Sequence, residues 1–362
     1  MASNAELTDN DITQLVIYAA QQTAKTWSRL SSKRKYPAYG DPQEEEWSET
    51  NADKWTCGFY PGMLWMVYHF TGDDQFLTWA ERLQDGLTEV QHNRSTHDVG
   101  FMVFDSFGWA YRITGEKKYL PIIRTAAESL MTRYRPIVKR IRSWDNKGWN
   151  QQPGDDVTHS FLVIIDNLMN LNLLFWSAKQ FTQPAWYEAA HAHALGTAAN
   201  FLRPDGSTFH VVEFHDETGE VLERRTHQGY ADDSCWSRGQ AWAVYGFTES
   251  YRHTRDPELL RAATRAADYF IDRLPEDAVP YWDFNAPVEE GREQPRDTSA
   301  GAIAASGLLE LSLYTGEKES RYYGQAQRIL KSLASDTYLT RGDPKAKISS
   351  LLLYGTIGNP DK

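Results

Sequence analysis

Hydrophobic positions recur along the chain in one arrangement that is repeated five times. In each repeat an apolar segment rich in small residues ends at an aromatic-containing turn with Thr, and an amphipathic segment with helical spacing follows. The five turns are YHFTGD, YRITGE, AKQFTQ, YRHTRD and SLYTGE, with Thr at positions 71, 114, 182, 254 and 315. Helices that are apolar on nearly all sides are buried, whereas amphipathic helices lie at a surface. The pattern predicts five hairpins, each of one inner and one outer helix.

The opening segment DITQLVIYAAQQTAKTW is predicted as the outer helix of a sixth pair. Repeated hairpins of this kind favour a closed ring, so the predicted fold is all-α, an (α/α)6 barrel, in a single domain over residues 1–362. Two long linkers, residues 135–156 and 202–235, are predicted to lie on one face. Alternation in TFHVVEFHDETGEVLERRTH predicts a short β-hairpin in the second linker.

Charge and composition exclude several classes of protein. The 362 residues hold 38 Lys and Arg against 49 Asp and Glu, a net charge of 38 − 49 = −11, which disfavours nucleic acid as a partner. No apolar run reaches the roughly 18 residues of a membrane span, and the N-terminus lacks an apolar secretion core. We therefore expect no membrane partner and a cytoplasmic protein, a monomer or weak homo-oligomer. Cys57 and Cys235 are too few for a disulfide framework and are expected to be free thiols.

One carboxylate, Asp166, interrupts the apolar run HSFLVIIDNLMNLNLLFW. Burying an unpaired charge costs several kcal/mol, roughly, so such a carboxyl either has partners or binds a proton. The structural interpretation is an Asp that caps or bridges helices. The functional interpretation is a general acid, because a raised pKa lets a carboxyl keep its proton near neutral pH and then deliver it. Asn167 and Asn170 lie within one turn of it and could share a polar stripe.

Three other stretches carry polar or aromatic residues that packing does not require. DKWTCGFYPG offers Trp55, and THDVGF offers Asp98 beside His97, although an Asp at this position is also typical of a helix N-cap. THQGYADDSCWSRGQAW contains five candidates: His227, Gln228, Trp236, Arg238 and Trp242. Arg238 and Trp242 are four residues apart and share a helical face, and an Arg inside an apolar helix needs an anionic partner. Two carboxyls with an anion site favour acid–base chemistry on an acidic sugar.

Other chemistries find little support in the chain. There is no phosphate loop, dinucleotide fingerprint or Ser or Cys nucleophile motif, so we predict no cofactor. His191 and His193 in HAH are two residues apart on an outer helix, which does not place both on one face, so we predict no metal site. Aromatic residues are 13% of the chain and suit a pocket that stacks on sugar rings.

These stretches together resemble glycoside hydrolase family 88, the unsaturated glucuronyl hydrolases. The likeness extends from about Trp55 to Leu309 through WTCGFYPGMLW, HDVGF, IIDNLMNLNLLFW, THQG, WSRGQAW, PYWDF and RDTSAGAIAASGLLEL. The resemblance implies a catalytic (α/α)6 barrel that acts on lyase-generated oligosaccharides ending in an unsaturated uronic acid. It also implies that Asp166 is the general acid and base, and that Asp98 supports it at the reacting ring.

The resemblance further places a set of residues at the sugar pocket: Trp55, Trp144, His210, His227, Gln228, Trp236, Arg238 and Trp242. One departure concerns the end of the chain, since members of the family usually finish with a GDYYYLEAL-like helix that brings a Tyr to the pocket. Here the chain ends SSLLLYGTIGNPDK, so we expect a ring completed differently, or a shortened or diverged member. The alternatives to the main interpretation are a diverged barrel enzyme for another acidic or glycosylated small molecule, and a non-catalytic carbohydrate-binding protein.

Overall fold

A computed structural model describes residues 6–30, 35–145, 159–288, 291, 294–316 and 319–360. Contacts divide the chain into two units, which we treat separately. Unit 1 comprises residues 1–94, 98–132 and 334–353, and unit 2 comprises residues 95–97, 133–333 and 354–362. Across the described ranges, no helix has both the length and the apolar character needed to cross a membrane. The single domain over residues 1–362 stays a prediction.

Unit 1 is built from helices, with one small sheet. Its elements in chain order are α1 (Asp9–Leu30), β1 (Tyr36–Tyr39), β2 (Ser48–Thr50), α2 (Phe59–Thr71), α3 (Asp74–Asp85), a π-helix (Gly100–Gly108), α4 (Trp109–Thr114) and α5 (Leu120–Met131). Short 3-10 helices cover Trp55–Gly58, Thr88–His92, Lys117–Tyr119 and Thr340–Gly342. α2 packs against α1, α3 and the π-helix, and α5 packs against the π-helix. The opening helix and the first two predicted hairpins are therefore present.

Unit 2 contains three more hairpins and most of the strands. Its elements are β3 (Tyr134–Arg135), β4 (Arg140–Ile141), β5 (Ser160–Ile164), α6 (Asn167–Phe181), α7 (Pro184–Phe201), β6 (Val211–His215), β7 (Val221–Arg225), α8 (Ser237–Thr254), α9 (Pro257–Asp272), α10 (Thr298–Ser312) and α11 (Glu319–Leu333). α6 packs on α7, α8 on α9 and α10 on α11, while α8 also contacts α6 and α10. The predicted inner helices α6, α8 and α10 are thus neighbours.

The repeated Thr explains why the hairpin turns share a sequence. The Thr71 hydroxyl donates to the Val67 carbonyl at 2.7 Å and accepts from the Asp73 amide at 3.3 Å, so it joins the end of α2 to the start of α3. Gly72 between them has φ 68°, the left-handed conformation that ends many helices. Thr114 and Thr254 make the same pair of hydrogen bonds. In these three turns the Thr is therefore a capping residue.

The apolar run around Asp166 is divided between two elements. β5 precedes Asp166 and α6 begins at Asn167, so Asp166 lies at a strand-to-helix junction and not inside one inner helix. β5 pairs antiparallel with β6, and β6 pairs antiparallel with β7. The β6–β7 hairpin predicted in the second linker is therefore confirmed. A strand buried throughout reads as a continuous apolar run, which is why the sequence did not reveal β5.

Residues 96 and 97 are linked to β5 through Ser143 and Trp144. Thr96 forms an antiparallel bridge with Trp144, and the His97 amide donates to the Ser143 carbonyl at 2.9 Å. The Ser143 amide in turn donates to the Leu162 carbonyl of β5 at 2.9 Å, and its hydroxyl accepts from the Ile164 amide at 3.0 Å. Ser143 thereby connects His97 to the strand that leads into Asp166.

Within unit 1, two glycines allow close contact with the π-helix. A Cβ built on Gly58 would lie 2.3 Å from the Phe101 carbonyl oxygen, and one on Gly62 would lie 2.2 Å from the Asp105 carbonyl oxygen. Both neighbours are backbone atoms. Only glycine therefore permits this approach.

Candidate active site

Asp166 occupies the N-cap position of α6, but its side chain makes no capping hydrogen bond. The side chain is 15% exposed, whereas Asn167 and Asn170 are fully buried. Asn167 donates to the Ile141 carbonyl at 2.8 Å, so one of the two amides predicted to form a polar stripe holds β4. Capping is therefore not the role of the Asp166 carboxyl.

His210 lies beside Asp166, with 3.8 Å between His210 Nε2 and Asp166 Oδ2. The other ring nitrogen, Nδ1, accepts the backbone amides of His227 and Gln228 at 3.2 and 3.3 Å. The ring packs on Trp236 at a centroid distance of 4.5 Å. Burial, followed by the nearby His227, Arg238 and Arg225, lowers the pKa of His210 well below 6.5. His210 is therefore neutral at physiological pH.

Arg238, near the start of α8, has a carboxylate partner inside the protein. Its Nε donates to Asp297 Oδ2 at 3.0 Å, its Nη2 donates to the Thr356 carbonyl, and its guanidinium lies 5.2 Å from the Trp236 ring centroid. Asp297 is fully buried and also caps α10 through the Ser299 amide. The predicted anionic partner of Arg238 is thus supplied by the chain itself. Trp242, one turn further along α8, is 7% exposed.

Gln228 and Arg238 both contact the segment 354–358. The Gln228 side chain donates to the Ile357 carbonyl, and the Thr356 hydroxyl donates to the Arg296 carbonyl at 2.7 Å. Tyr354 starts this segment with φ 61°, and its carbonyl accepts from the Thr298 amide at 3.1 Å. This segment therefore fixes the side chains of two predicted binding residues.

The predicted site residues are divided between the two units. Unit 1 holds Trp55 and Asp98. Trp55 is 39% exposed and makes an edge contact with Phe59. Asp98 is buried and directly precedes Val99, where helical structure begins, and its carbonyl accepts the Met102 amide at 2.9 Å. The N-cap interpretation of Asp98 therefore stays a prediction. In unit 2, Trp144 packs edge-on against His97 at 5.1 Å between ring centroids.

Two buried carboxylates that hold predicted site residues or their loop were not identified from the sequence. Asp297 holds Arg238, as described above. Asp283 is fully buried and accepts from the Tyr230 amide, the Ser234 hydroxyl and the Asn285 amide at 2.7–3.0 Å. It thereby fixes the loop between THQG and α8. Both lie in stretches that carried the family resemblance, RDTSAG and PYWDF, and a carboxylate within such a stretch was the available signal.

The histidines of HAH have separate partners. His191 contacts Asp256 at 2.8 Å, while His193 Nδ1 accepts the Ile141 amide at 3.0 Å. Elsewhere in the described part of unit 2, potential metal-ligand atoms of His159, His215 and Asp216 lie within 4.8 Å of one another. However, His215 Nδ1 already accepts the Glu217 amide, and Asp216 lies beside the Arg135 guanidinium. Both groups therefore have protein partners in place of a metal ion.

Comparison with known proteins gives a consistent result. The family model described as Glycosyl Hydrolase Family 88 matches residues 25–352. An unsaturated glucuronyl hydrolase of Formosa agariphila is 41% identical over 290 residues, covering 79% of this chain and 70% of that protein. One from Bacillus sp. strain GL1 is 35% identical and covers 90% of this chain and 84% of its own length. An unsaturated chondroitin disaccharide hydrolase of Streptococcus agalactiae is 36% identical, with coverage of 83% and 74%.

Solved structures match over nearly the whole chain. An unsaturated glucuronyl hydrolase described as specific for heparin has a TM-score of 0.85 at 36% identity and covers 95% of this chain and 90% of that one. The Bacillus sp. GL1 hydrolase has a TM-score of 0.86 at 33% identity, with coverage of 96% and 89%. The class is therefore that of the (α/α)6-barrel glycoside hydrolases, as predicted. Within that class, the chain belongs to glycosyl hydrolase family 88.

Proposed function

We propose that this enzyme releases the 4,5-unsaturated uronic acid from the non-reducing end of lyase-generated oligosaccharides by hydrating the double bond. The observation that carries the proposal is the environment of the Asp166 carboxyl. Asp166 is the N-cap residue of α6, but its carboxyl makes no capping hydrogen bond and lies beside a neutral histidine. Family membership supports the reaction type. Relatives are named as hydrolases of unsaturated chondroitin disaccharides, and one Streptococcus agalactiae variant was solved with dGlcA-GalNAc6S.

In the proposed mechanism Asp166 acts first as an acid and then as a base. Its proton adds to carbon 4 of the enol ether, and the positive charge that develops at carbon 5 is shared with the ring oxygen. A water molecule adds its oxygen at carbon 5 and returns one proton to the carboxylate. The resulting hemiketal opens by breaking the bond between carbon 5 and the ring oxygen, which leaves a ketone at carbon 5 and a hemiacetal at carbon 1. The hemiacetal collapses to an aldehyde by breaking the bond between carbon 1 and the glycosidic oxygen. That oxygen leaves with a proton as a hydroxyl of the next sugar, and the uronic acid is freed as a keto acid. Because water does not attack the anomeric carbon, carboxyl separation does not predict stereochemistry here.

The remaining roles rest on the family motifs and on local geometry. Asp98 is proposed to support Asp166 at the reacting ring, an assignment that rests on HDVGF alone. The proposed sugar-binding residues are Trp55, Trp144, His210, His227, Gln228, Trp236, Arg238 and Trp242. Asp297 offsets the charge of Arg238. We therefore propose that Arg238 orients the sugar through its remaining nitrogen, Nη1, while the sugar packs on the face of Trp236.

We also propose a monomer or weak homo-oligomer in the cytoplasm, where the free thiols Cys57 and Cys235 would persist.

The decisive experiment follows the ultraviolet absorbance of unsaturated chondroitin, hyaluronan and heparin disaccharides. We expect wild type to abolish the absorbance of at least one of them, while Asp166→Asn binds that disaccharide but does not turn it over, because the amide cannot transfer the proton. Asp272→Asn, an exposed position on α9, is the matched control and should retain wild-type rates. Turnover by Asp166→Asn would remove the mechanism. Binding without turnover by wild type would favour the carbohydrate-binding alternative, and neither binding nor turnover would favour another acidic substrate.

A further inference from the structure

The hydrogen bonds at His210 determine which ring nitrogen carries the proton. Nδ1 accepts two backbone amides, from His227 and Gln228, so it presents a lone pair and cannot bear hydrogen. In a neutral imidazole the single proton must then be on Nε2. The ring is 97% buried and stacks on Trp236, which prevents it from rotating to exchange its two nitrogens. The tautomer of His210 is therefore fixed by the backbone of THQG.

The Nε2–H of that tautomer faces Asp166 across 3.8 Å. This distance exceeds that of a hydrogen bond, but contacts of catalytic groups are often long without substrate and shorten in the complex. The charged and titratable groups around the ring are Asp166 at the β5–α6 junction, His227 in the adjoining loop, Arg225 on β7 and Arg238 on α8. Two of these are permanent cations, which oppose protonation of His210. A neutral donor therefore faces the carboxyl.

We propose that His210 is a positioning residue for Asp166, a neutral ring whose Nε2–H orients the carboxyl and stabilises the carboxylate left after proton transfer. The inference deepens the proposed function and rests on it for its catalytic meaning. A hydrogen-bond donor aimed at a carboxylate favours the charged form, so it lowers the barrier to giving up the proton. A neutral donor does this without an ion pair that would hold Asp166 permanently ionised. The residue acts through Asp166 and needs no contact with the reacting carbons.

His193 is a natural control for this proposal. It is also fully buried, its Nδ1 also accepts a backbone amide, from Ile141 at 3.0 Å, and its pKa is also well below 6.5 because of burial and nearby Arg140. Among the described residues, no carboxylate forms an ion pair with His193. A substitution at His193 therefore reproduces the structural cost of losing a buried neutral histidine without removing the donor that faces Asp166.

Two substitutions at His210 separate its two nitrogens. The amide nitrogen of Gln extends to the position of Nε2 and can donate to Asp166, but Gln leaves the two amides of THQG without their acceptor. The carbonyl oxygen of Asn lies at the position of Nδ1 and can accept those amides, but Asn cannot reach Asp166. If His210 serves only to hold the THQG loop, His210→Asn should have the higher kcat of the two variants. If it positions Asp166, His210→Gln is the better enzyme.

The experiment compares kcat, KM and their pH profiles for wild type, His210→Gln, His210→Asn and His193→Asn on unsaturated chondroitin disaccharide. We expect kcat of His210→Asn to fall at least about tenfold below that of His210→Gln at similar KM, with kcat of His193→Asn close to wild type. The alkaline limb of the His210→Asn profile should move to higher pH. Equal or reversed ranking of the two His210 variants would overturn the proposal, as would a change confined to KM.

Two spectroscopic measurements test the same point without turnover. Ring 15N shifts of His210 should report the neutral Nε2–H tautomer throughout the active pH range, and an Nδ1–H form or an imidazolium would overturn the proposal. The 13C carboxyl signal of Asp166 should titrate at higher pH in His210→Asn than in His210→Gln, and identical midpoints would also overturn it. If wild type fails to act on any unsaturated disaccharide, the proposed function fails, while these measurements still decide the coupling of His210 to Asp166.

Discussion

Replacing Gly62 by Ala should destabilise unit 1, although Ala normally stabilises a helix. Ala favours a helix interior by about 1 kcal/mol over Gly. At Gly62 the added Cβ would lie 2.2 Å from the Asp105 carbonyl oxygen, whereas ordinary contact begins at 3.4 Å, so α2 and the π-helix must separate by 3.4 − 2.2 = 1.2 Å. Overpacking against backbone of this size costs about 3 kcal/mol. The expected net loss is about 2 kcal/mol, or roughly 3 °C in Tm for a chain of 362 residues.

The control is Gly324→Ala on α11, where a built Cβ has no neighbour within 4 Å. This change keeps the helical gain and lacks the clash, so it should raise Tm slightly. Differential scanning calorimetry of both variants measures the difference in Tm, and disaccharide turnover shows whether the displaced π-helix also disturbs the HDVGF motif at its start. If Gly62→Ala were as stable as Gly324→Ala, the close approach of α2 to the π-helix would be wrong.

Three further predictions concern charge and pH in unit 2. Because burial keeps His193 and His210 neutral when folded, the folded state binds fewer protons than the unfolded state below about pH 6.5. The contribution of these two histidines to stability should be constant above that pH and fall by up to about 1.4 kcal/mol per pH unit per histidine on acidification; a Tm unchanged between about pH 7 and 5 would contradict this. Asp297→Asn leaves the buried Arg238 guanidinium without its counter-charge and should cost about 3 kcal/mol in urea unfolding; a loss below about 0.5 kcal/mol would show that the pair is unimportant. Asp283→Ala should speed hydrogen exchange of the Tyr230 amide and raise KM, and unchanged exchange would mean that another group holds the loop.

The hairpins were predictable because both the burial pattern of each helix and the residues of each turn can be identified from short stretches of sequence. Thr71 and Gly72 occur together in the sequence, and one hydroxyl and one left-handed residue suffice to end a helix and start the next. The same holds for the β6–β7 hairpin, where alternation survives because part of the hairpin is exposed. Local signals of this kind require no knowledge of distant residues.

The missed features depend on contacts far apart in the sequence. β5 is buried along its whole length, so its apolar run could not be distinguished from the helix after it. Arg238 and Asp297 are 59 residues apart, and only the packing of α8 beside α10 brings their side chains together. The role of His210 was inferred from the family motif as a sugar contact, and its hydrogen bonds to His227 and Gln228 add a tautomer that sequence reasoning cannot assign.

The π-helix at Gly100–Gly108 has a consequence for how this chain tolerates changes in length. A π-helix closes its hydrogen bonds one residue further along than an α-helix, so such a segment behaves as though a residue had been inserted into an α-helical stretch. Deleting one residue there would let the segment return to α-helical hydrogen bonding, but the residues before it would turn by about 100° relative to α4. Asp98 precedes the segment and Trp109 comes after it. The extra residue therefore sets the direction of the Asp98 side chain relative to α4. A chain without it could form an α-helix here, but a residue other than the one at position 98 would point in that direction.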